Sequence, residues 1–489
     1  MASVNSTESD TSPNPSSSES ALDAITLPPP PITAFPVELF KEIFAVAVVN
    51  SKKCGLLSQT PDERPEFDPT TLHIASVCHT WHAITLSSPS LWTTMTIYGP
   101  TMKAVNAVEL YLSRAGKTAP FTLYLSHTIV DGATGGALES RRKADEETTH
   151  TEAIMDLWFA HVARWRSISF NFSLGPPPAV LLGASPEELG NIRDVAFSST
   201  YRNQNKRKLE DFWDQLFASS SLRTVHWGSP VIKGFMMPGP FEQLTGLTLS
   251  EMPPTELLEI LRCRGHFLEH LTVEHFSYWG WGDDIEPVIM PRLRELIIKD
   301  SWSLYSLPGF LDKLSTPALE ELALHAIPQD CPKDLLRNFL ARSGCRIRRL
   351  ALHGAWGPED MENLQQVLDE DDKDSVDDNR VGYLDQLERL SFGGVLDWNV
   401  LRPRGLHTNI NRVPFPVLRT LEASPALEDG VVGQVLIDRE AAGAGIWIFN
   451  FNYLGQLTGY HAESQESYPK DEEAFKRLEE CCGLKVIRG

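Results

Sequence analysis

The Cys-x-x-x-His spacing from Cys78 to His82, with His79 between them, is the pattern in this chain that comes closest to a metal-binding motif. On one helix Cys78 and His82 would share a face, and His79 would turn away from both. A structural zinc site needs four ligands, and no second ligand pair follows nearby. The residues therefore predict no bound metal, and we expect Cys78 to pack as a small apolar side chain.

Catalytic motifs of other kinds are missing from the sequence. The Gly-Ala-Gly run Gly443–Gly445 lacks the rest of a phosphate-binding loop, and no G-x-S-x-G, H-E-x-x-H or Walker sequence occurs. Cys481 and Cys482 follow Glu479 and Glu480, whose negative charge disfavours a thiolate nucleophile. We therefore expect no cofactor and no enzymatic activity; an enzyme with an unrecognised site is the minor alternative.

Composition limits the kinds of partner. The chain has 489 residues, 42% of them apolar, and a net charge of −21 from 65 acidic and 44 basic residues. Such a length exceeds one ordinary compact domain. Nucleic acid and anionic membranes both require basic surface, so we expect neither as a partner.

Cysteine usage and the absence of apolar runs bear on the compartment. The seven cysteines form an odd set without regular spacing, which is typical of reduced thiols. The first twenty residues contain no apolar core of a signal peptide, and no run of about 18 apolar residues could span a membrane. We expect a cytoplasmic or nuclear protein.

The stretch from Phe35 to Tyr98 carries more apolar surface than its short helices can bury. Leu39 and Ile43 recur at helical spacing, with Phe40 and Phe44 beside them, so the first helix has a wide apolar stripe. A second helical pattern follows at Ile74, Val77, Cys78, Trp81 and Ile84. An apolar excess of this kind is typical of a partner-binding surface.

These residues resemble the F-box-like motif that is common in fungal protein families. The resemblance is carried, in order, by Phe35-Pro36-Val37-Glu38-Leu39, Ile43-Phe44, Val77-Cys78-His79-Thr80-Trp81 and Ser90-Leu91-Trp92. Phe35 replaces the usual Leu, His79 and His82 replace the usual Arg, and a polar insert from Asn50 to Asp68 separates the helices.

The resemblance implies an F-box-like helical domain at 32–98 that binds a Skp-family adaptor and, through it, the cullin of an SCF (Skp–cullin–F-box) ubiquitin ligase. It also implies which residues form or support the adaptor-binding face, namely Phe35, Pro36, Leu39, Ile43, Val77, Cys78 and Trp81.

An apolar-x-x-apolar-x-apolar pattern then recurs ten times. Its first positions are Trp165, Ile192, Leu222, Leu244, Leu268, Leu293, Leu319, Ile347, Leu387 and Leu418. From Leu222 to Ile347 the steps are 22 to 28 residues, the period of leucine-rich repeats. We predict an α/β fold in which 151–489 forms an irregular leucine-rich-repeat solenoid, with a parallel sheet and helices on its convex side.

The remaining segments are assigned by composition and periodicity. We expect a disordered Ser/Pro-rich tail at 1–31, a connecting region at 99–150 with a helix, a strand and a polar loop from 131, and an acidic loop insert at 369–380. Return helices are predicted at 209–217, 255–262, 304–314, 334–342 and 359–368. A short helix at 472–479 and a closing strand at 484–487 end the chain.

In each repeat the residues between the apolar positions point to the concave face. This places His270, Glu295, Glu321, Arg349 and Arg389 on one surface, which we predict to bind a protein substrate. A solvated face with scattered charges is the competing interpretation. The alternative function is a protein-interaction scaffold that serves no ligase.

Overall fold

A computed structural model gives the fold of the chain. It describes residues 35–57, 66–126, 137–172, 177–199, 206–228, 242–250, 252–276, 286–299, 306–327, 335–354, 384–392, 401, 415–423, 431–446, 448–451 and 469–488. The predicted tail at 1–31, the acidic insert at 369–380 and the helix at 359–368 lie outside these residues.

Three helices form the N-terminal unit: α1 (Val37–Leu57), α2 (Thr70–Ser76) and α3 (His79–Leu86), followed by a 3-10 turn at Pro89–Trp92. The second apolar pattern was expected to be one helix, but the structure breaks it at Val77 and Cys78. Cys78 is extended (φ −159°) and begins α3 as its N-cap. Leu91 and Trp92 are buried, and the Trp92 indole N–H donates to the carbonyl of Thr85 at 2.9 Å.

The chain is an α/β protein in which all but two of the described strands form one long parallel sheet. Fourteen strands pair in nearly sequential order, each parallel to its neighbour. They are β1 (Thr94–Ile97), β2 (Phe121–Ser126), β3 (Trp165–Phe172), β4 (Asp194–Ser199), β5 (Thr224–Trp227), β6 (Gly246–Leu249), β7 (His270–Val273), β9 (Glu295–Ile298), β11 (Glu321–Ile327), β12 (Arg349–Gly354), β13 (Arg389–Phe392), β14 (Thr420–Ala423), β15 (Ile448–Phe451) and β16 (Lys485–Arg488). Strands β8 (Val288–Ile289) and β10 (Leu314–Ser315) form a separate parallel pair.

The predicted repeats are confirmed by the register of this sheet. The second apolar position of all ten repeats aligns strand to strand, and each of these side chains is buried. The aligned residues are Ile168, Val195, Val225, Leu247, Leu271, Leu296, Leu322, Leu350, Leu390 and Leu421. One strand per repeat, stacked in register, is the arrangement of leucine-rich repeats.

Helices return along the face of the buried leucines. They are α4 (Met102–Arg114), α5 (Ala137–Phe159), α6 (Ala179–Leu182), α7 (Lys206–Ala218), α8 (Pro254–Arg264), α9 (Ser306–Asp312) and α10 (Leu335–Ser343). The packing is direct: the Trp213 ring of α7 stacks on Trp227 of β5, with centroids 4.6 Å apart. Gly116 follows α4 with φ +65°, the left-handed conformation that favours glycine after a helix.

The polar loop predicted at 131–150 is wrong from Ala137 onward, where α5 begins. Its first turns are polar but rich in Ala, Glu, Lys and Arg, which favour helix. Its last turns carry the buried side chains of Ile154, Met155 and Trp158. Composition suggested a loop because most residues of the helix before Ile154 are polar.

Two helices and two strands complete the described fold. Helices α11 (Val431–Ala441) and α12 (Pro469–Cys482) pack closely at Gly433, where an added Cβ would stand 2.4 Å from the Cβ of Ala474. The Gly433 N–H donates to the buried carboxylate of Asp471 at 2.7 Å. The predicted closing strand is confirmed as β16, which pairs with β15.

Candidate functional site

The first helix exposes one of its two apolar faces. We call the exposed face, together with the residues beside it, the outer face: Phe35, Leu39, Ile43, Val46 and Val77. The exposed fractions are 44% for Leu39, 51% for Ile43 and 60% for Val77. Large aliphatic side chains exposed together on one helix indicate a surface that a partner covers.

The opposite face of α1 packs inside the helical unit. Phe40 and Phe44 are buried, with ring centroids 6.0 Å and 4.8 Å from the indole of Trp81. Val48 continues this face one turn later and is also buried. Because Phe40, Phe44 and Val48 repeat every four residues, they occupy one side of the helix and leave Leu39 and Ile43 on the other.

The structure separates the seven predicted adaptor-binding residues into two groups. Phe35, Pro36, Leu39, Ile43, Val77 and Cys78 are exposed, whereas Trp81 is half-buried and supports the inner face. Sequence reasoning missed Val37, Val46 and Val49, which are exposed on the same helix. Their apolar type and spacing could have indicated them.

Cys78 is a capping residue, and the prediction that it packs as a small apolar side chain is wrong. Its side chain is exposed, and its sulfur accepts the backbone N–H of Trp81 at 3.5 Å. His82 turns toward α2, where its Nδ1 lies 3.2 Å from the carbonyl of Ala75. Within the described ranges, His, Cys, Asp and Glu side chains nowhere gather in a group of three that could hold a metal ion.

The second candidate surface is the face of the sheet opposite the helices. His270, Glu295, Glu321, Arg349 and Arg389 occupy the same register position on β7, β9, β11, β12 and β13. They form one continuous row across five neighbouring strands. The structure therefore brings the five predicted substrate-binding residues together.

The charges of this row are paired with one another. His270 Nδ1 lies 2.8 Å from a carboxylate oxygen of Glu295, and Arg349 donates to Glu321 at 2.7 Å. Arg389 reaches Glu422 on β14 at 3.4 Å. The charges of this row are therefore partly neutralised within it.

A further carboxylate, Glu274, lies at the end of β7. The hydrogen bond from His226 and the positive charge of Lys299 lower the pKa of Glu274 to about 2, against the opposing effect of burial. His226 Nε2 and Lys299 Nζ each lie 3.4 Å from a Glu274 oxygen. The cluster joins β5, β7 and β9 by electrostatic contacts on the open face.

Two imidazoles stack beyond Lys299 on the same face. The rings of His325 and His353 lie 4.7 Å apart at an angle of 13°. Burial lowers the pKa of both, and His353 and Lys299 lower that of His325 further. Burial therefore favours the neutral form of these two stacked imidazoles.

None of the helices in the described part of the chain combines the length and apolar character needed to cross a bilayer. Neither the known family models nor the curated proteins contain a match to the sequence.

Solved structures resemble the chain weakly. A protein from Bacteroides fragilis has a TM-score of 0.29 and 13% identity, covering 63% of this chain and 67% of that one. A chain of the yeast Rad7 and Elc1 complex has a TM-score of 0.34 and 10% identity, covering 88% of this chain and 92% of that one. Similarity at this level carries no argument about function, so the interpretation as stacked repeats depends on the strand register described above.

Proposed function

We propose that this protein is a substrate-recognition subunit of an SCF-type ubiquitin ligase. In this role the outer face of α1 binds a Skp-family adaptor, which connects the chain to a cullin. The open face of the repeat sheet binds the protein that is to be ubiquitinated. The chain itself supplies binding surfaces and no catalytic group.

The observation that carries this proposal is the division of α1 into two apolar faces. A helix that served only the local core would need one apolar face, the one formed by Phe40, Phe44 and Val48. The outer face adds exposed aliphatic side chains that cost free energy in water, about 1.5–3 kcal/mol for each large side chain that a partner fully buries. All of its residues except Val46 also belong to the F-box-like motif.

The repeat sheet supplies the second surface. Strands of successive repeats place side chains from separate parts of the chain in register, so a partner can contact many repeats at once. We propose that the row from His270 to Arg389 contributes to the substrate surface. Because its charges are paired, the row would recognise a substrate by the positions of the individual charges more than by their net charge.

A scaffold that serves no ligase is the second candidate. The paired charges of the open face are compatible with this role, because such a surface can bind a protein partner whether or not a ligase is present. The two candidates differ only in what covers the outer face.

Affinity purification of the full chain from native cells separates them. The ligase role predicts recovery of a Skp-family adaptor and a cullin along with repeat-bound proteins. The scaffold role predicts repeat-bound proteins without either ligase subunit. Recovery of the adaptor that does not change when Leu39 and Ile43 are replaced would count against the outer face as its docking site.

A further inference from the structure

A hollow of about 300 Å³ lies on the open face of the sheet over β3 to β7. Its floor has several small side chains, namely Ser167, Ser169, Ala196 and Gly246, and His226 and His270 line it as well. Gly246 has ordinary backbone geometry, but a Cβ at this position would stand 3.1 Å from the methyl group of Thr224. Strands β9, β11, β12 and β13 carry Glu or Arg at the first position of this face, whereas the strands under the hollow leave space.

Three arginines lie at the N-terminal ends of strands that form this hollow. Arg166, Arg193 and Arg223 each come directly before a residue that lines it, namely Ser167, Asp194 and Thr224. They are adjacent in register: the N–H of Arg193 donates to the carbonyl of Arg166 at 2.8 Å, and the N–H of Arg223 donates to the carbonyl of Arg193 at 2.7 Å. All three side chains are exposed.

The same register position is neutralised farther along the sheet. There Arg294 lies 3.8 Å from Glu320, and Arg348 lies 2.5 Å from Glu388 and 3.8 Å from Glu320. Arginine and glutamate thus alternate from strand to strand.

At the hollow this alternation is replaced by three arginines in succession. Among the residues that the structure describes, none of these three has a carboxylate within ion-pair distance. The carboxylate of the hollow, Asp194, accepts a hydrogen bond from the Thr224 hydroxyl at 2.5 Å.

We propose that the hollow and its three arginines bind an extended segment of a partner protein that carries closely spaced anionic groups. Neighbouring strands are about 4.8 Å apart, so the three backbones span about 10 Å, the length of three extended residues at about 3.3 Å each. Three positively charged side chains on adjacent strands attract an anion, and Arg223 also donates to the carbonyls of Ser220 and Leu222 at 2.8 Å. Guanidinium groups suit carboxylates and phosphates because they can donate two parallel hydrogen bonds.

The rest of the molecule makes this site selective. With a net charge of −21, the protein repels acidic segments elsewhere and disfavours a long polyanion such as nucleic acid. The small side chains of the hollow leave room for the backbone and small side chains of the segment. This inference deepens the proposed function, because it assigns a chemical class to the partner of the sheet and relies on the sheet as the substrate surface.

Fluorescence anisotropy with the purified full chain tests the inference. The probe is a labelled twelve-residue peptide that alternates Asp and Glu with Gly and Ser, and its control replaces Asp and Glu with Asn and Gln. A second pair is a Ser-rich peptide with and without three phosphates, which distinguishes carboxylate from phosphate as the anion. We expect an anionic peptide to bind, its neutral control to bind at least tenfold more weakly, and affinity to fall with added salt.

Variants of the protein locate the site. The triple change Arg166→Gln, Arg193→Gln and Arg223→Gln is expected to weaken binding at least tenfold. The matched control changes ion-paired arginines outside the proposed substrate row, with the same loss of charge: Arg262→Gln, Arg294→Gln and Arg348→Gln. Ala196→Phe fills the hollow without changing charge and is expected to weaken binding as well; thermal melting confirms that each variant is folded.

Three results would overturn the inference: no binding of either anionic peptide, equal weakening by both triple variants, or a single-stranded oligonucleotide that binds more tightly through the same arginines. Adaptor capture is measured in parallel on every variant. Loss of peptide binding with intact adaptor capture supports the site, whereas absent adaptor capture with intact peptide binding counts against the ligase role alone.

Discussion

Arg349 and Glu321 lie opposite each other on neighbouring strands and form an ion pair of 2.7 Å on the open face of the sheet. In the sequence, this face is acidic over the middle repeats and basic at Arg349 and Arg389, which suggests a groove for a protein segment of opposite charge polarity. The pairing means that each residue holds the other in place, so exchanging the two charges conserves the contact.

The double change Glu321→Lys with Arg349→Glu is therefore expected to leave the fold intact. Both side chains are partly exposed, so the pair contributes less than about 1 kcal/mol to stability. We expect the variant to retain adaptor capture and to lose part of its substrate set, measured by quantitative proteomics of affinity-purified samples. Identical protein sets from variant and wild type would place the substrate surface elsewhere on the sheet.

Glu274 is expected to make stability depend on pH. Its pKa is lowered to about 2 in the folded protein, whereas an unfolded chain has a glutamate pKa of about 4.3. The carboxylate therefore contributes stability above about pH 4.3, and this contribution is lost as the pH falls toward 2.

Glu274→Gln should lower the free energy of unfolding at pH 7 by on the order of 1–2 kcal/mol. The difference between the variant and the wild type should shrink as the pH falls below about 4. Urea titrations across this range measure it, with Glu109→Gln as the exposed control. A difference that stays constant with pH would contradict the assigned role of the carboxylate.

Arg439 is expected to stabilise the C-terminal repeats. Its side chain is fully buried, and it donates to the carbonyls of Leu401 at 3.2 Å and Phe415 at 2.9 Å. Burial lowers its pKa to about 10, so the group remains charged at neutral pH. Arg439→Met would leave two buried carbonyls without these donors, at about 1–3 kcal/mol each.

Hydrogen exchange provides the readout for Arg439→Met. We expect faster exchange in α11 and β15, and a lower urea midpoint, while the N-terminal helices keep their protection. Arg477→Met, on the exposed side of α12, serves as the control. Unchanged exchange in α11 would show that Arg439 is dispensable for this packing.

Phe44→Ala is expected to destabilise the helical unit. The ring is 1% exposed and packs against Trp81, and removing a buried phenylalanine side chain typically costs about 3–5 kcal/mol. Thermal melting followed by circular dichroism should show an early transition in this variant. A melting curve like that of the wild type would mean that the inner face is not a core.

The repeated part of the fold could be predicted from the sequence because it is redundant. A single repeat, such as the one that contains Leu271, predicts little by itself. Ten copies of the same apolar pattern together predict where the strands lie, how long a repeat is and which side chains are buried. Strands β1 and β15 were missed because they stand outside the repeat pattern. In α5 the helix-forming residues are polar, so composition alone suggested a loop.

The candidate sites were harder to predict for a different reason. Leu39 and Phe40 belong to two different apolar stripes of the same helix. Which stripe is buried depends on where the fold places Trp81. Likewise, the three arginines at the hollow are 27 to 30 residues apart in sequence. Their proximity, and the pairing of Arg349 with Glu321, depend on the register between strands.

The measurement that tests the central claim most directly is the affinity of the purified full chain for a purified Skp-family adaptor, by isothermal titration calorimetry. Three proteins are compared: the wild type, Leu39→Ala with Ile43→Ala, and a control that removes two exposed apolar side chains elsewhere, Leu110→Ala with Ile289→Ala. Anchors at the centre of an interface contribute about 2 kcal/mol or more each, so we expect the first variant to bind at least about 100-fold more weakly. The control should bind like the wild type. A folded Leu39→Ala, Ile43→Ala protein that binds the adaptor with wild-type affinity, or a wild-type chain that does not bind it at all, would contradict the account.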